Sequence, residues 1–277
     1  MALSILDKNE DLRRAIMDVA EVAGYIWEKG WGERNGGNIT LNVTDYFSSV
    51  APQSLDIPSI DLPVALPYIA GMYFYVKGTQ KRMRDLARWP MANGCIIRVS
   101  EDGLSFQMVA DEPIAPTSEL PSHLMVQNYL VQSGSKYKAT LHTHPIELVA
   151  LSHIPEFLDD TKYPNHLTTT LWSMIPETLA FAPLGLGIVP YQVPGSLELA
   201  QATLEKIEKY DVTLWEKHGV FAVGTDIMDA FDQVDVLNKA ARIYLDACAT
   251  GQRPTGMSLR QMKEVQSVFS LPTKRII

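Results

Sequence analysis

Cys95-Ile96-Ile97-Arg98-Val99-Ser100-Glu101-Asp102-Gly103-Leu104-Ser105-Phe106-Gln107-Met108-Val109 holds two apolar runs parted by a Ser-Glu-Asp-Gly link. Turn chemistry between two such runs predicts a β-hairpin, with strands over 95–99 and 104–109. Hairpin strands are antiparallel, so the sheet they belong to cannot be wholly parallel. Working outward, 72–76 and 39–43 read as further strands, the latter opened by the glycine turn Asn35-Gly36-Gly37-Asn38. Helical spacing of Leu12, Ile16, Val19 and Ile26 predicts a helix over 9–29, stopped at Gly30. Residues 46–66, rich in Ser, Pro and Asp, read as a loop.

Downstream, Pro116-Thr117-Ser118-Glu119 opens a second helix with Ser118 as its N-cap. Strands follow at 138–142, 179–181, 188–189, 212–215 and 220–223. Helices follow shortly after Pro145, from Ser196 to about residue 210, from Asp226 to about residue 248, and over 258–268. Strands and helices alternate irregularly around at least one hairpin. The expectation is therefore an α/β protein, one domain over 1–277, with a central mixed or antiparallel sheet and helices on both faces. No repeat, low-complexity tract or linker interrupts it.

Composition narrows the function classes. In 277 residues, 46% hydrophobic and 20% charged content is that of a globular chain long enough for a sizeable core. A net charge of −8 gives no footprint for nucleic acid or for anionic membranes, and an anionic ligand would need a local set of donors. Two cysteines, Cys95 and Cys248, make no disulfide framework, and a reducing, cytoplasmic setting is expected. Asp7, Lys8, Glu10 and Asp11 interrupt any signal-peptide core, and no apolar run is long enough to span a bilayer.

The chemistry concentrates in Leu141-His142-Thr143-His144-Pro145 and Trp215-Glu216-Lys217-His218-Gly219-Val220. A His-x-His step on a strand puts both rings on one face. With His218 brought in by the fold, three nitrogens and an open position suit a catalytic zinc rather than a structural one. His123, His153 and His166 are read as non-ligands. Glu119 in a first helical turn could merely favour the helix dipole. Thr117 and Ser118 beside it also offer an anion site, and near zinc the carboxylate could act as ligand or general base. Asn35 and Asn38 flank exposed amides that could hold phosphate or carbonyl oxygens without adding charge, and Gly78-Thr79-Gln80-Lys81 is a weaker site of the same kind.

These segments, with Leu171-Trp172, Glu177 and Val193-Pro194-Gly195, stand in the order seen in the class II aldolase/adducin family, which the chain resembles from about residue 27 to about residue 251. The resemblance implies zinc, one ion per subunit, on His142, His144 and His218, with Glu119 as catalytic acid/base. It implies phosphate contacts from Asn35, Asn38, Thr79, Thr117 and Ser118. Glu177 would act from a neighbouring subunit of a homotetramer whose active sites lie at subunit interfaces. The run Glu33-Arg34-Asn35-Gly36-Gly37-Asn38 and the spacing to Glu177 favour the branch that cleaves rhamnulose 1-phosphate over the fuculose branch. Sugar-phosphate epimerases, a dehydratase and non-catalytic interaction modules share the scaffold. One departure stands out: Gln80 replaces a glycine of the family pattern, and Thr79 a serine.

Overall fold

The computed structural model describes residues 4–47, 55, 57–109, 112–159, 162 and 164–271. Nine strands form one sheet: β1 (Asn38–Asn42), β2 (Ile60–Asp61), β3 (Tyr73–Lys77), β4 (Gly94–Val99), β5 (Ser105–Val109), β6 (Ala139–Thr143), β7 (Leu186–Val189), β8 (Val212–Trp215) and β9 (Gly219–Gly224). Their order is β2-β5-β4-β3-β1-β6-β9-β8-β7. Every pairing is antiparallel except β7 with β8. The expected hairpin is β4–β5, with Val99 opposite Phe106.

Period-2 alternation gives each sheet face its own core. Ile39, Leu41, Tyr75, Ile96, Leu141, Val220 and Ala222 point to one side and pack with helices α1 (Glu10–Glu28) and, late in the chain, Ile227–Cys248. Phe74, Val76, Cys95 and Ile97 point to the other and pack on Leu120 and Leu124 of Leu120–Gln132, which Leu197–Ile207 flanks. In chain order the remaining helices are α2 (Met83–Leu86), α3 (Pro90–Asn93), α4 (Leu120–Gln132), α5 (Ile146–Leu151), α6 (Pro155–Leu158), α7 (His166–Met174), α8 (Pro176–Phe181), α9 (Leu197–Ile207), α10 (Ile227–Cys248) and α11 (Leu259–Phe269). The single-domain α/β architecture with a mixed sheet covered on both faces is the expected one. No described helix is long and apolar enough to cross a membrane.

Three local expectations are corrected. Residues 179–181 are the end of α8, not a strand: Pro176 sits in its first turn with a preset φ, and a short apolar run has no period to separate helix from strand. Ser118 does not cap α4; Glu119 holds the cap position without a side-chain bond, and its N–H donates to Thr117 Oγ1 at 3.3 Å. Residues 46–66 are not all loop, since Ile60–Asp61 adds an edge strand to β5. Residues 48–54 and 56 of that stretch lie outside the described residues. Asn9, Ser196 and Asp226 do cap α1, α9 and α10, each side chain accepting a backbone N–H.

Candidate active site

Strand β6 delivers the first two histidines. Its alternation sends Ala139 and Leu141 into the α1/α10 core and His142 to the opposite face. His142 Nδ1 is 2.8 Å from the carbonyl of Val220, and His144 Nδ1 is 2.7 Å from Glu33 Oε1. Both partners are acceptors, so the hydrogen bonding assigns Nδ1–H to each ring and turns a bare Nε2 lone pair inward. Those two Nε2 atoms are 3.1 Å apart. His218, on the turn between β8 and β9, completes a group whose ligand atoms all lie within 4.8 Å of one another. Its Nδ1 is buried with no hydrogen-bond partner among the described residues.

The facing lone pairs of His142 and His144, with a His218 nitrogen in the same cluster, fit a cation shared by the three rings. Burial pushes His142 well below the ordinary imidazole range and His218 down to about 4, with neighbouring histidines adding to both. Neutral imidazoles are the form that binds metal. Trp215 stacks on His142 with ring centroids 4.3 Å apart, which fixes the ring plane. Gly219 explains why a glycine follows His218: a Cβ there would lie 2.5 Å from the Thr143 carbonyl and 2.7 Å from the His144 ring.

Glu119 closes the site from the N-terminal end of α4. Its Oε2 is 3.4 Å from His142 Nε2, and its Oε1 is 3.8 Å from His218 Nε2. Burial raises its pKa, while the Asn38 hydrogen bond, His144 and Lys77 act the other way. Asn38 lies directly opposite His142 across the β1–β6 pair. Its Nδ2 donates to Glu119 Oε2 at 2.7 Å, and its Oδ1 accepts from His123 Nε2. His123 Nδ1 in turn lies 2.6 Å from the Thr140 hydroxyl. Asn38 therefore orients the carboxylate, and only its second amide hydrogen is left for a ligand.

His123 was read from the sequence as a non-ligand, and it stands outside the histidine trio. Its link to Glu119 has no local signature in the chain, since that link needs α4 packed across β1 and β6. Full burial pushes it down to about 3, so it is neutral. Its folded pKa lies below the unfolded value near 6.5. The stability this contributes is complete above pH 6.5 and is lost as pH falls toward 3. At about pH 5 the loss is roughly 2 kcal/mol. Urea unfolding of the wild type should therefore lose about 2 kcal/mol more than His123→Gln between about pH 7 and pH 5; parallel losses would refute the assignment.

A single cavity joins these groups. It is lined by the three histidines, Glu119 and Asn38, and also by Asn35, Thr79, Thr117 and Ser118. The structure thus brings together all the expected residues but one. Gln80, where the family pattern has glycine, still adopts the left-handed conformation a glycine favours, with φ 57°. Glu177 is the exception: exposed in the first turn of α8, it lines a separate cavity with Phe181 and Lys239. His153 and His166 also stand apart, the latter 3.2 Å from Glu156. Glu33 and Lys77 are site residues that no motif reading singled out as such. A lysine ending the apolar strand β3 was the available signal for the second.

Residues 17–245 match the family described as class II aldolase and adducin N-terminal domain. The chain belongs to the class II aldolase and adducin family. A rhamnulose-1-phosphate aldolase from Bacteroides thetaiotaomicron is 55% identical over 97% of this chain and 99% of its own length. One from Klebsiella pneumoniae is 33% identical over 86% of this chain and 88% of its own. A sugar-phosphate aldolase structure from Thermotoga maritima superposes with a TM-score of 0.76 at 32% identity, covering 89% of this chain and all of that one. With these relatives and an intact set of three histidines, the chain is a class II aldolase, a carbon–carbon lyase, rather than an interaction module of the same family.

Proposed function

We propose that the chain catalyses the reversible cleavage of L-rhamnulose 1-phosphate to dihydroxyacetone phosphate and L-lactaldehyde. The observation that carries this reading is a buried carboxylate set beside three clustered imidazoles in a cavity also lined by amide and hydroxyl side chains. The names of the relatives at 55% and 33% identity support the choice of sugar.

His142, His144 and His218 would hold one zinc ion per subunit, the metal best suited to three nitrogens and an open position. Bound there, the ion would supply Lewis-acid stabilisation of the negative charge that the dihydroxyacetone phosphate fragment gains. Asn35, Thr79, Thr117, Ser118 and the free N–H of Asn38 bind the phosphate end and so align the bond to be broken. In the cleavage direction a base on the aldehyde side, Glu177 or a water-relayed group, takes the C4 hydroxyl proton, C4 becomes the aldehyde carbon, the electrons of the C3–C4 bond stay on C3, and C3 then takes a proton from Glu119. Burial suits Glu119 to that task, because a carboxyl with a raised pKa holds a proton more readily near neutrality. Asn38 keeps the carboxyl aimed through both directions of the reaction.

Glu177 acts on the aldehyde side from a neighbouring subunit of a homotetramer. Its exposure and its distance from the histidine cavity in its own chain support that assignment, as does Phe181 beside it, 64% exposed. The free thiols of Cys95 and Cys248 support a reducing, cytoplasmic setting.

The test is release of dihydroxyacetone phosphate from L-rhamnulose 1-phosphate and from fuculose 1-phosphate in parallel, before and after chelation. Cleavage that prefers the rhamnulose substrate and is abolished by chelator is expected. Cleavage of neither sugar by metal-loaded protein would overturn the reading in favour of epimerase or dehydratase chemistry.

A further inference from the structure

Lys77 is the last residue of β3, and only 2% of it is exposed. An ammonium group withdrawn from water is costly unless something compensates it. Nζ donates to the carbonyl of Asn35 at 3.0 Å, its single hydrogen-bond partner among the described residues. Two of its three N–H donors are therefore unclaimed. No carboxylate among the described residues lies within ion-pair distance of it, Glu119 included. Burial lowers it to about 8, and Glu119 acts in the opposite direction, so at neutral pH it keeps most of its charge.

Lys77 also lines the histidine cavity, and among the described residues it is the one lysine or arginine that does. Asn35, Thr79, Thr117 and Ser118 are all neutral, and the chain as a whole carries −8. A phosphate dianion entering past Glu119 would otherwise meet no lysine or arginine among the described residues that line the cavity. The peptide carbonyl of Asn35 holds Nζ against the same turn, Asn35 to Asn38, that lines the cavity.

We propose that Lys77 is a substrate-binding residue whose two unclaimed N–H donors take the phosphate group of the sugar phosphate. This rests on reading the cavity as a sugar-phosphate site. Lysine serves here as a point charge rather than as a planar fork, which suits an anion already gripped by several neutral donors.

The test uses metal-loaded full-length Lys77→Met, Lys77→Gln and Lys77→Arg beside the wild type. Calorimetric affinity for inorganic phosphate and the KM and kcat for L-rhamnulose 1-phosphate are measured, with metal content and melting temperature as controls. Lys77→Met and Lys77→Gln are expected to bind phosphate at least about 10-fold more weakly and to raise KM more than they lower kcat, with Lys77→Arg recovering part of both. In the wild type, inorganic phosphate is expected to slow acetylation of Lys77 by acetic anhydride, read by peptide mass spectrometry; this arm holds even if the variants do not fold. Unchanged phosphate affinity in a folded variant, or labelling indifferent to phosphate, overturns the proposal. Wild-type cleavage of the sugar with no effect of Lys77 overturns the lysine's role alone. Phosphate binding that depends on Lys77, without cleavage, supports it and overturns the aldolase substrate instead.

Discussion

Glu119→Gln is expected to lower turnover by roughly 10²- to 10⁴-fold while leaving the metal in place. The amide is nearly isosteric with the carboxylate, and its oxygen can still accept from Asn38 Nδ2, which now donates to Glu119 at 2.7 Å. The three imidazoles are untouched, and the tautomers of His142 and His144 are set by Val220 and Glu33 rather than by Glu119. What disappears is a group able to take up and return a proton in a buried cavity. Stability should hold or rise slightly, because the variant no longer buries an ionisable group. Dihydroxyacetone phosphate release and metal content are measured on the same preparation. Full turnover would remove Glu119 from the chemistry, and loss of metal together with activity would make it a ligand first.

The second large effect is expected at a residue with no functional group. In Gly219→Ala the new methyl would stand 2.5 Å from the Thr143 carbonyl, 2.7 Å from His144 Cδ2 and 3.0 Å from His142 Cε1. One of these is backbone, and the others belong to rings held by hydrogen bonds and by Trp215, so no flexible side-chain end can yield. Displacing the rings should weaken metal affinity by about 10- to 100-fold. The overpacking should cost about 1–3 kcal/mol of stability. Gly24→Ala in α1 is the control: its methyl would meet only Ala87 Cβ, at 3.8 Å, and stability should shift by about 1 kcal/mol or less, upward if at all. Metal titration followed by denaturant unfolding separates the two variants. Equal metal affinity in Gly219→Ala and wild type would show that the ring positions are not set by the glycine.

How much of this was legible in the chain depends on the range of the interaction concerned. The β4–β5 hairpin is local, so its turn residues announced it. The helix starts at Ser196 and Asp226 are local as well, whereas Asn9, read as the first residue of a helix, is its cap. The histidine trio was legible because His-x-His is itself a strand pattern and Gly219 marks the third position. Residues 179–181 misled because three apolar residues fit a strand and a helical turn equally. Ser118 misled because the adjacent Thr117 hydroxyl takes the N–H of Glu119, one residue further on. Two exposed residues at 60–61 carry no alternation to read. The order of the strands was invisible, and with it the pairing of Asn38 with His142 that ties His123 to Glu119. Asn38 was expected at the phosphate, but its amide is largely committed to the carboxylate. Lys77 lies one residue past the strand read over 72–76 and gained a role only when the fold placed the Asn35 carbonyl beside it.

The pairing of β6 with β9 also has a consequence for the order of events during synthesis. His142 and the Val220 carbonyl that fixes its tautomer are 78 residues apart, and the third imidazole is made only just before that carbonyl. A growing chain that has completed β1, β3 and β6 holds two histidines with neither the third ring nor the acceptor that turns the first inward. Non-local strand pairing of this kind forms slowly and late. The three-nitrogen site therefore does not exist until β9 is made and paired with β6, so the first half of the molecule is laid down with an incomplete set of ligands.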